Sequence, residues 1–385
     1  MTTIQSTHDI TVDNLADFAG KGPAVVTFGE TLVRDTPSDF QRLERTAAVN
    51  ISLAGSEYTL AMMLSRLGIP CAYITRVPDN PYGWLVRDAA RSVGVHTEFM
   101  VWAPKAEPIG RFLYELGRTP RKSAGWYQRM YSAASRLGAG MVDWKSALRD
   151  CRILHISGIS FGLAYHSKYE TNYLLDAFQE AAALKPKGCL VGLDFNYRAT
   201  LWSKDQCRSI MTPLMEEHVD ILITTIEDMA ALYGLGCGQW SAEQIDKGEM
   251  GTITDEDLRA FTTQVRDMFR AKIVAVTVRY PDTFEQHRWE SAAMDEQGHF
   301  YRSPAVRSVV LLDRLGGGDT WNGGFYYGLL TAGFGADGLE KGVLVGDAAT
   351  RLKQTLMFDL PIVTKAEIRD LMKEDVAGGG KRVSR

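Results

Sequence analysis

Apolar residues recur along this chain in two formats. Short runs, dense in β-branched and aromatic residues, alternate with longer segments in which apolar positions return every three or four residues. The runs at 24–28, 71–76, 152–156, 190–195, 221–224 and 273–278 predict strands. The segments 56–67, 83–93, 169–184, 226–233 and 258–269 predict helices, the first two stopped by Gly68 and Gly94. Several strand runs are apolar throughout rather than alternating, which predicts burial on both faces. Strand–helix alternation of that kind predicts a three-layer α/β/α domain with a mainly parallel central sheet.

Two segments break the rhythm. Residues 34–53 and 97–131 are rich in Thr, Arg, Tyr and Trp, with strand-like patches and no long helix. They predict a small β lid over the main sheet, a common setting for a functional site. Residues 235–255, dense in glycine, predict a surface excursion. The domain is expected over 23–375, between a polar N-terminal tail (1–22) and a flexible glycine-rich C-terminal tail (376–385).

Composition narrows the function classes. A chain of 385 residues, 45% hydrophobic and 23% charged, has ample material for a core. Its 43 Lys and Arg against 47 Asp and Glu give a net charge of −4 with no basic block, so a nucleic-acid partner is not expected. No apolar run has the length of a membrane span. The first twenty residues hold Asp9, Asp13 and Asp17 without Lys or Arg, unlike a signal peptide. Five scattered cysteines suggest neither a disulfide framework nor a zinc site, and a cytoplasmic location is expected.

The strongest local signal is Asp313-Arg314-Leu315-Gly316-Gly317-Gly318-Asp319-Thr320. A β run feeds three glycines, and a helix-length segment follows. Glycines let backbone N–H groups converge on a ligand, and a helix N-terminus attracts anions, phosphate above all. A carboxylate at such a place, Asp319, either caps the helix or transfers a proton. No GxxxxGK[ST] and no GxGxxG between strand and helix occurs, which removes P-loop and dinucleotide readings. Gly158-Ile159-Ser160-Phe161-Gly162 matches the nucleophile elbow of hydrolases, but no downstream histidine stands in a strand-end context that would complete a triad.

The 313–319 stretch resembles the D-x-x-G-A-G-D signature of ribokinase-like (pfkB-type) sugar kinases, with Gly317 in the alanine place. The segment from Ala54-Gly55 to Leu67-Gly68 resembles the family's N-terminal signature. Together the two cover about 23–375. Within the family, the segments Gly29 to Arg34, Tyr127-Gln128-Arg129, His155 to Ile159, Asp194-Phe195-Asn196-Tyr197-Arg198 and Leu352 to Thr355 are similar to 2-dehydro-3-deoxygluconate kinases. The resemblance implies the ribokinase-like fold, ATP with Mg²⁺, and a sugar-acid substrate phosphorylated on its terminal primary hydroxyl. Asp319 would be the general base, with the N–H groups of Gly316, Gly317 and Gly318 stabilising the transferring phosphoryl. Glu227 would organise the metal's water shell, and Thr277 and Arg279 would face the nucleotide. Gly55, Thr59, Asn196, Tyr127, Arg129 and Arg198 would line the sugar site. A substrate carboxylate calls for an arginine clamp. Arg198 and Arg129 are the first candidates for it, and Arg111 and Arg34 the weaker ones. The resemblance also implies a homodimer or higher homo-oligomer formed through lid strands.

Four positions depart from the family pattern: Ala54 for glycine, Thr59 and Thr224 for asparagine, and Arg279-Tyr280-Pro281 where a glycine-containing turn is usual. They alter the sugar and nucleotide edges and spare the phosphoryl-transfer end. A kinase for a neutral sugar (fructose or ribose type) and a non-catalytic nucleotide- or sugar-binding relative remain the alternatives.

Overall fold

The computed structural model describes residues 15–281, 285–303 and 307–377. The expected tails beyond 15 and 377 lie outside the described residues. Strands in chain order are β1 (Val25–Phe28), β2 (Leu32–Pro37), β3 (Val49–Ala54), β4 (Cys71–Ile74), β5 (Arg76–Pro78), β6 (Val101–Ala103), β7 (Gly110–Glu115) and β8 (Ala124–Gln128). They continue as β9 (Ile153–Ser157), β10 (Leu190–Asp194), β11 (Ile221–Thr225), β12 (Ile273–Pro281), β13 (Gln286–Asp295), β14 (Phe300–Arg302) and β15 (Arg307–Val310).

Among the described residues, the central sheet runs β14-β13-β12-β11-β10-β9-β1-β4, with β15 also paired to β13. The strands from β4 to β12 in this order pair in parallel, while β13 turns antiparallel on β12 and carries β14 and β15. Period-two alternation divides each parallel strand between two cores. Val26, Leu154 and Leu222 pack with Phe161, Phe178, Met211 and Val265 on one face. Val25, Ile153, Ile221 and Ile223 pack with Leu60, Met63, Phe325 and Val345 on the other. The all-apolar runs in the sequence have this cause: a strand covered on both sides has no polar face.

The segments set apart in the sequence build a second sheet, ordered β3-β2-β7-β8. Helix Ala242–Asp246 interrupts the 235–255 excursion, its start fixed by a reciprocal capping pair between Ser241 and Gln244. Lys204–His218, Ala336–Gln354 and Lys365–Ala377 fall outside the predicted set. Lys204–His218 carries Pro213 inside it, and Ala336–Gln354 carries Gly338, Gly342 and Gly346, residues that weaken a local helix signal. Those glycines line the face that meets helix Gly317–Ala332. A Cβ added to Gly324 would lie 2.7 Å from the Gly346 Cα, and one on Gly328 would collide with the Gly342 backbone. Side chains are absent there because the two backbones touch. All five cysteines are buried and free.

Candidate active site

The chain from β15 turns through Asp313 and Leu315 into Gly316, which adopts φ 75° and serves as the N-cap of helix Gly317–Ala332. Glycine is required here, because the conformation is left-handed and a Cβ would strike the Asp359 carbonyl. Gly318 is exposed, with open space where its Cβ would be. The Gly317 N–H is engaged at 3.3 Å with the Arg314 carbonyl, so the three glycine amides expected to act alike are not equivalent. The N–H groups of Gly318 and Asp319 belong to the first helical turn, which has no intrahelical acceptor for them.

Asp319 borders a cleft of 460 Å³ at the C-terminal ends of β10, β11 and β12. That is where open parallel sheets place their ligands. The Ser56 hydroxyl donates to its Oδ1 at 2.7 Å. Burial pushes the Asp319 carboxyl above the usual carboxylate range, opposed by the Ser56 hydrogen bond and by Arg198 and Lys353. On the same wall, Asp194 Oδ2 accepts from Asn196 Nδ2 at 3.2 Å and Asn322 Nδ2 at 3.1 Å. Burial and the neighbouring Asp319 charge raise Asp194 to about 8. Two carboxylates this close repel, and the asparagines and Arg198 offset the repulsion.

Asn196 holds φ 44°, a strained value that asparagine tolerates, and its amide also reaches Ser157 Oγ at 3.1 Å. Arg198 follows on an exposed stretch. Its Nη1 donates to the Tyr197 carbonyl at 2.9 Å, and among the described residues it forms no ion pair. Its guanidinium nevertheless lowers the carboxyls of Asp194, Asp228 and Asp319. It is a cation available to a ligand in a cleft of acids.

Thr225 caps helix Ile226–Tyr233 by accepting from the Asp228 N–H, which puts Glu227 and Asp228 in the first turn on the cleft wall. Burial raises both, Asp228 to about 6. Thr277, Arg279 and Arg314 line the same cleft, and Arg279 stands near enough to Glu227 to lower its carboxyl. Among the described residues no three acidic, His or Cys side chains are grouped as metal ligands. Magnesium is commonly held through phosphates, waters and one or two carboxylates, and Glu227, with Asp228 beside it, is what this part of the cleft could offer such an ion. A polyphosphate fits the same cleft through the buried Trp289 Nε1, an indole donor that lines it without a protein partner.

Other sequence candidates are placed differently. Arg129 is only 5% exposed, and its Nε donates to Glu30 Oε2 at 2.7 Å, with Nη2 on the same oxygen. Arg129 is therefore already committed to one carboxylate. Tyr127 of β8 stacks on Phe112 with 5.0 Å between centroids and leaves much of its ring exposed. Gly55 has no room for a side chain, since a Cβ would sit 2.6 Å from the Glu30 carbonyl. Thr59 is fully buried with Oγ1 unpartnered. Arg111 is held by Asp35 and the Tyr82 hydroxyl. Arg34, considered a weak carboxylate clamp, is 0% exposed and fixed between Asp313 and Asp359, so it cannot reach a substrate. Ser160 of the elbow-like motif is buried in helix Gly158–His166 and donates to Glu57 at 2.6 Å, which rules out a nucleophile's exposure. Ser56, Asp194, Asp228, Asn322 and Gln354 went unassigned. Ser56, Asp194 and Gln354 lie inside segments already singled out, and for Ser56 and Asp194 proximity to Gly55 and Asn196 is the signal.

The pfkB family carbohydrate kinase model matches residues 23–248, more than half of the sequence. The chain belongs to the pfkB family of carbohydrate kinases. It is therefore a carbohydrate kinase with the ribokinase-like fold, as the two signatures implied. Similar relatives include the 2-dehydro-3-deoxygalactonokinase of Haloferax volcanii, 28% identical over 356 residues, covering 92% of this chain and 98% of that protein. The 5-dehydro-2-deoxygluconokinase of Clostridium botulinum is 24% identical over 364 residues, covering 94% of this chain and 96% of its own. The crystal structure of the 2-dehydro-3-deoxygluconokinase of Thermotoga maritima superposes with a TM-score of 0.78 at 28% identity, covering 91% of this chain and 99% of that one. No helix among the described residues of this kinase is long and apolar enough to cross a membrane.

Proposed function

We propose that this kinase transfers the γ-phosphoryl group of ATP to the terminal primary hydroxyl of a keto-deoxy sugar acid, with 2-dehydro-3-deoxygluconate favoured and its 6-phosphate as product. Asp319 accepts the hydroxyl proton on a carboxylate oxygen, the freed oxygen attacks the γ-phosphorus, and the bond to the β-phosphate bridging oxygen breaks to release ADP. Of the glycine amides, those of Gly316 and Gly318 would receive the charge that gathers on the transferring group, the Gly317 N–H being held by the Arg314 carbonyl. Magnesium, when bound, neutralises phosphate charge, and Glu227 with Asp228 would hold it.

Thr277, Arg279 and Arg314 face the nucleotide. Gly55, Thr59, Asn196 and Tyr127 shape the sugar side, under the four-stranded sheet acting as a lid that excludes water. The same reading includes a homodimer through these sheets, where Ile51 and Trp126 are exposed.

The observation that carries the substrate class is Arg198: a guanidinium without an ion pair among the described residues, in the cleft that holds the proposed base. Bidentate pairing with a carboxylate would complete it. Arg129, the other candidate clamp, is buried against Glu30 and does not line this cleft, so the carboxylate contact is assigned to Arg198 alone. Acceptors named for the relatives are likewise keto-deoxy sugar acids. A coupled ADP-release assay against 2-dehydro-3-deoxygluconate, its galactonate epimer, 5-dehydro-2-deoxygluconate, fructose and ribose tests this. Turnover with the acids and not the neutral sugars is expected, and it should vanish in Asp319→Asn while ATP still binds. A preference for fructose or ribose removes the acid assignment, and near-wild-type turnover in Asp319→Asn removes the base.

A further inference from the structure

Arg34 sits on β2 of the four-stranded sheet, yet its charge is spent on the loop that carries the glycine turn. The guanidinium is fully buried. Its Nε donates to Thr36 Oγ1 at 2.8 Å, its Nη1 to Asp359 Oδ1 at 2.7 Å, and its Nη2 lies 2.6 Å from Asp313 Oδ2. The rings of Tyr114 and Phe358 pack against it, at 4.7 Å and 5.6 Å from Cζ.

Each partner is in turn built into the turn. Asp313 Oδ1 accepts from the Leu315 N–H and Oδ2 from the Phe358 N–H, both at 3.1 Å. The Asp313 carbonyl accepts from the buried Lys353 Nζ at 3.0 Å. The carbonyl of Asp359 occupies the space beside Gly316 that a side chain would need. Two cations and two carboxylates therefore close a charge-balanced cluster directly behind Gly316 to Gly318.

We infer that Arg34 is a positioning residue for the glycine turn: by holding Asp313 and Asp359 together from the four-stranded sheet, it sets where the turn's N–H groups point. The role rests on the proposed phosphoryl transfer only for its kinetic consequence. A planar fork can join two carboxylates at once, whereas an ammonium is a point charge that serves one geometry. Removal of one partner from such a cluster leaves uncompensated buried charge. The expected damage is a misaimed turn rather than a lost substrate contact, so it falls on kcat.

The test uses Arg34→Lys and Arg34→Ala in the full-length protein. Hydrogen–deuterium exchange needs no substrate. Amides of 313–319 should exchange at least about tenfold faster in Arg34→Lys than in wild type, with the central strands unchanged. In turnover assays, kcat per folded molecule should fall about tenfold or more while KM for the acceptor stays within about twofold. In Arg34→Ala, added guanidinium ion should restore part of kcat.

Unchanged exchange across 313–319 in Arg34→Lys overturns the inference. So does a variant that turns over at the wild-type rate, or one whose loss lies wholly in the acceptor KM. If Arg34→Ala does not fold, Arg34→Lys and Asp359→Asn carry the same readings. Absence of wild-type turnover on every acceptor would remove the proposed substrate and leave the exchange result to decide on Arg34.

Discussion

The Ser56 hydroxyl and the Asp319 carboxylate are joined at 2.7 Å, across 263 residues of sequence. The first residue of one helix thereby contacts the first turn of another, and the two family signatures meet at a single hydrogen bond. A hydroxyl donating to a carboxylate stabilises its charged form. Ser56 thus holds down a carboxyl that burial drives up.

Ser56→Ala should move the acid limb of the kcat profile to higher pH. The proposed base would work ionised, so activity should be lost as pH falls through its pKa. Losing a donor raises that pKa, so the limb shifts upward by about one unit, worth roughly 1.4 kcal/mol. A pH–rate series from 5 to 9 on both proteins checks the shift, and coincident profiles would separate Ser56 from the base.

Arg198→Ala should raise the acceptor KM about 10- to 100-fold for a sugar acid, the worth of one or two hydrogen bonds to a charged group. A neutral sugar, if accepted at all, should be little affected. The same substitution removes a cation that lowers Asp319, Asp194 and Asp228, so its acid limb should also move to higher pH. Steady-state kinetics with both acceptor classes across pH separates the two effects.

Glu57 gives a stability prediction. Buried behind the site, its Oε1 accepts from Ser157 N–H and Ser160 Oγ, and burial raises its carboxyl from 4.5 to about 7. The native state keeps this proton at pH values where the unfolded chain has lost it. The contribution is therefore complete below pH 4.5 and declines as pH rises through 7, by about 3 kcal/mol in all. Glu57→Gln accepts the same hydrogen bonds without titrating. Urea unfolding at pH 5 and pH 8 should show wild type losing more stability than the variant across that interval. Parallel losses would show Glu57 ionised in the fold.

Gly324→Ala should destabilise by about 1–3 kcal/mol, because the added methyl meets Gly346 backbone that has no rotamer to yield. Thermal unfolding of the variant should begin several degrees below wild type. An unchanged midpoint would mean that the helix pair can part without cost.

Much of this kinase was legible because its signals are local. Gly316 to Asp319 announce a strand–turn–helix junction in consecutive residues, and the all-apolar strands announce a covered sheet. Arginine roles were not legible, because an arginine's role is set by its partner. Arg34 finds Asp359 some 325 residues away and Arg129 finds Glu30 99 residues away, so neither pairing leaves a mark nearby. Asp194 needed the fold to bring Asn322 and Asp319 beside it. The helix Ala336–Gln354 was hidden by the glycines that let it pack.

Those glycines also bear on how the enzyme can be altered. With backbone against backbone along Gly324, Gly328, Gly342 and Gly346, the helix bearing Asp319 and the helix bearing Gln354 form one inelastic block. Mutational tolerance at that seam should be close to nil, whatever acceptor is selected for. A directed-evolution library aimed at new sugars should leave the seam untouched and place its diversity at Tyr127 and Arg198, whose side chains stand exposed.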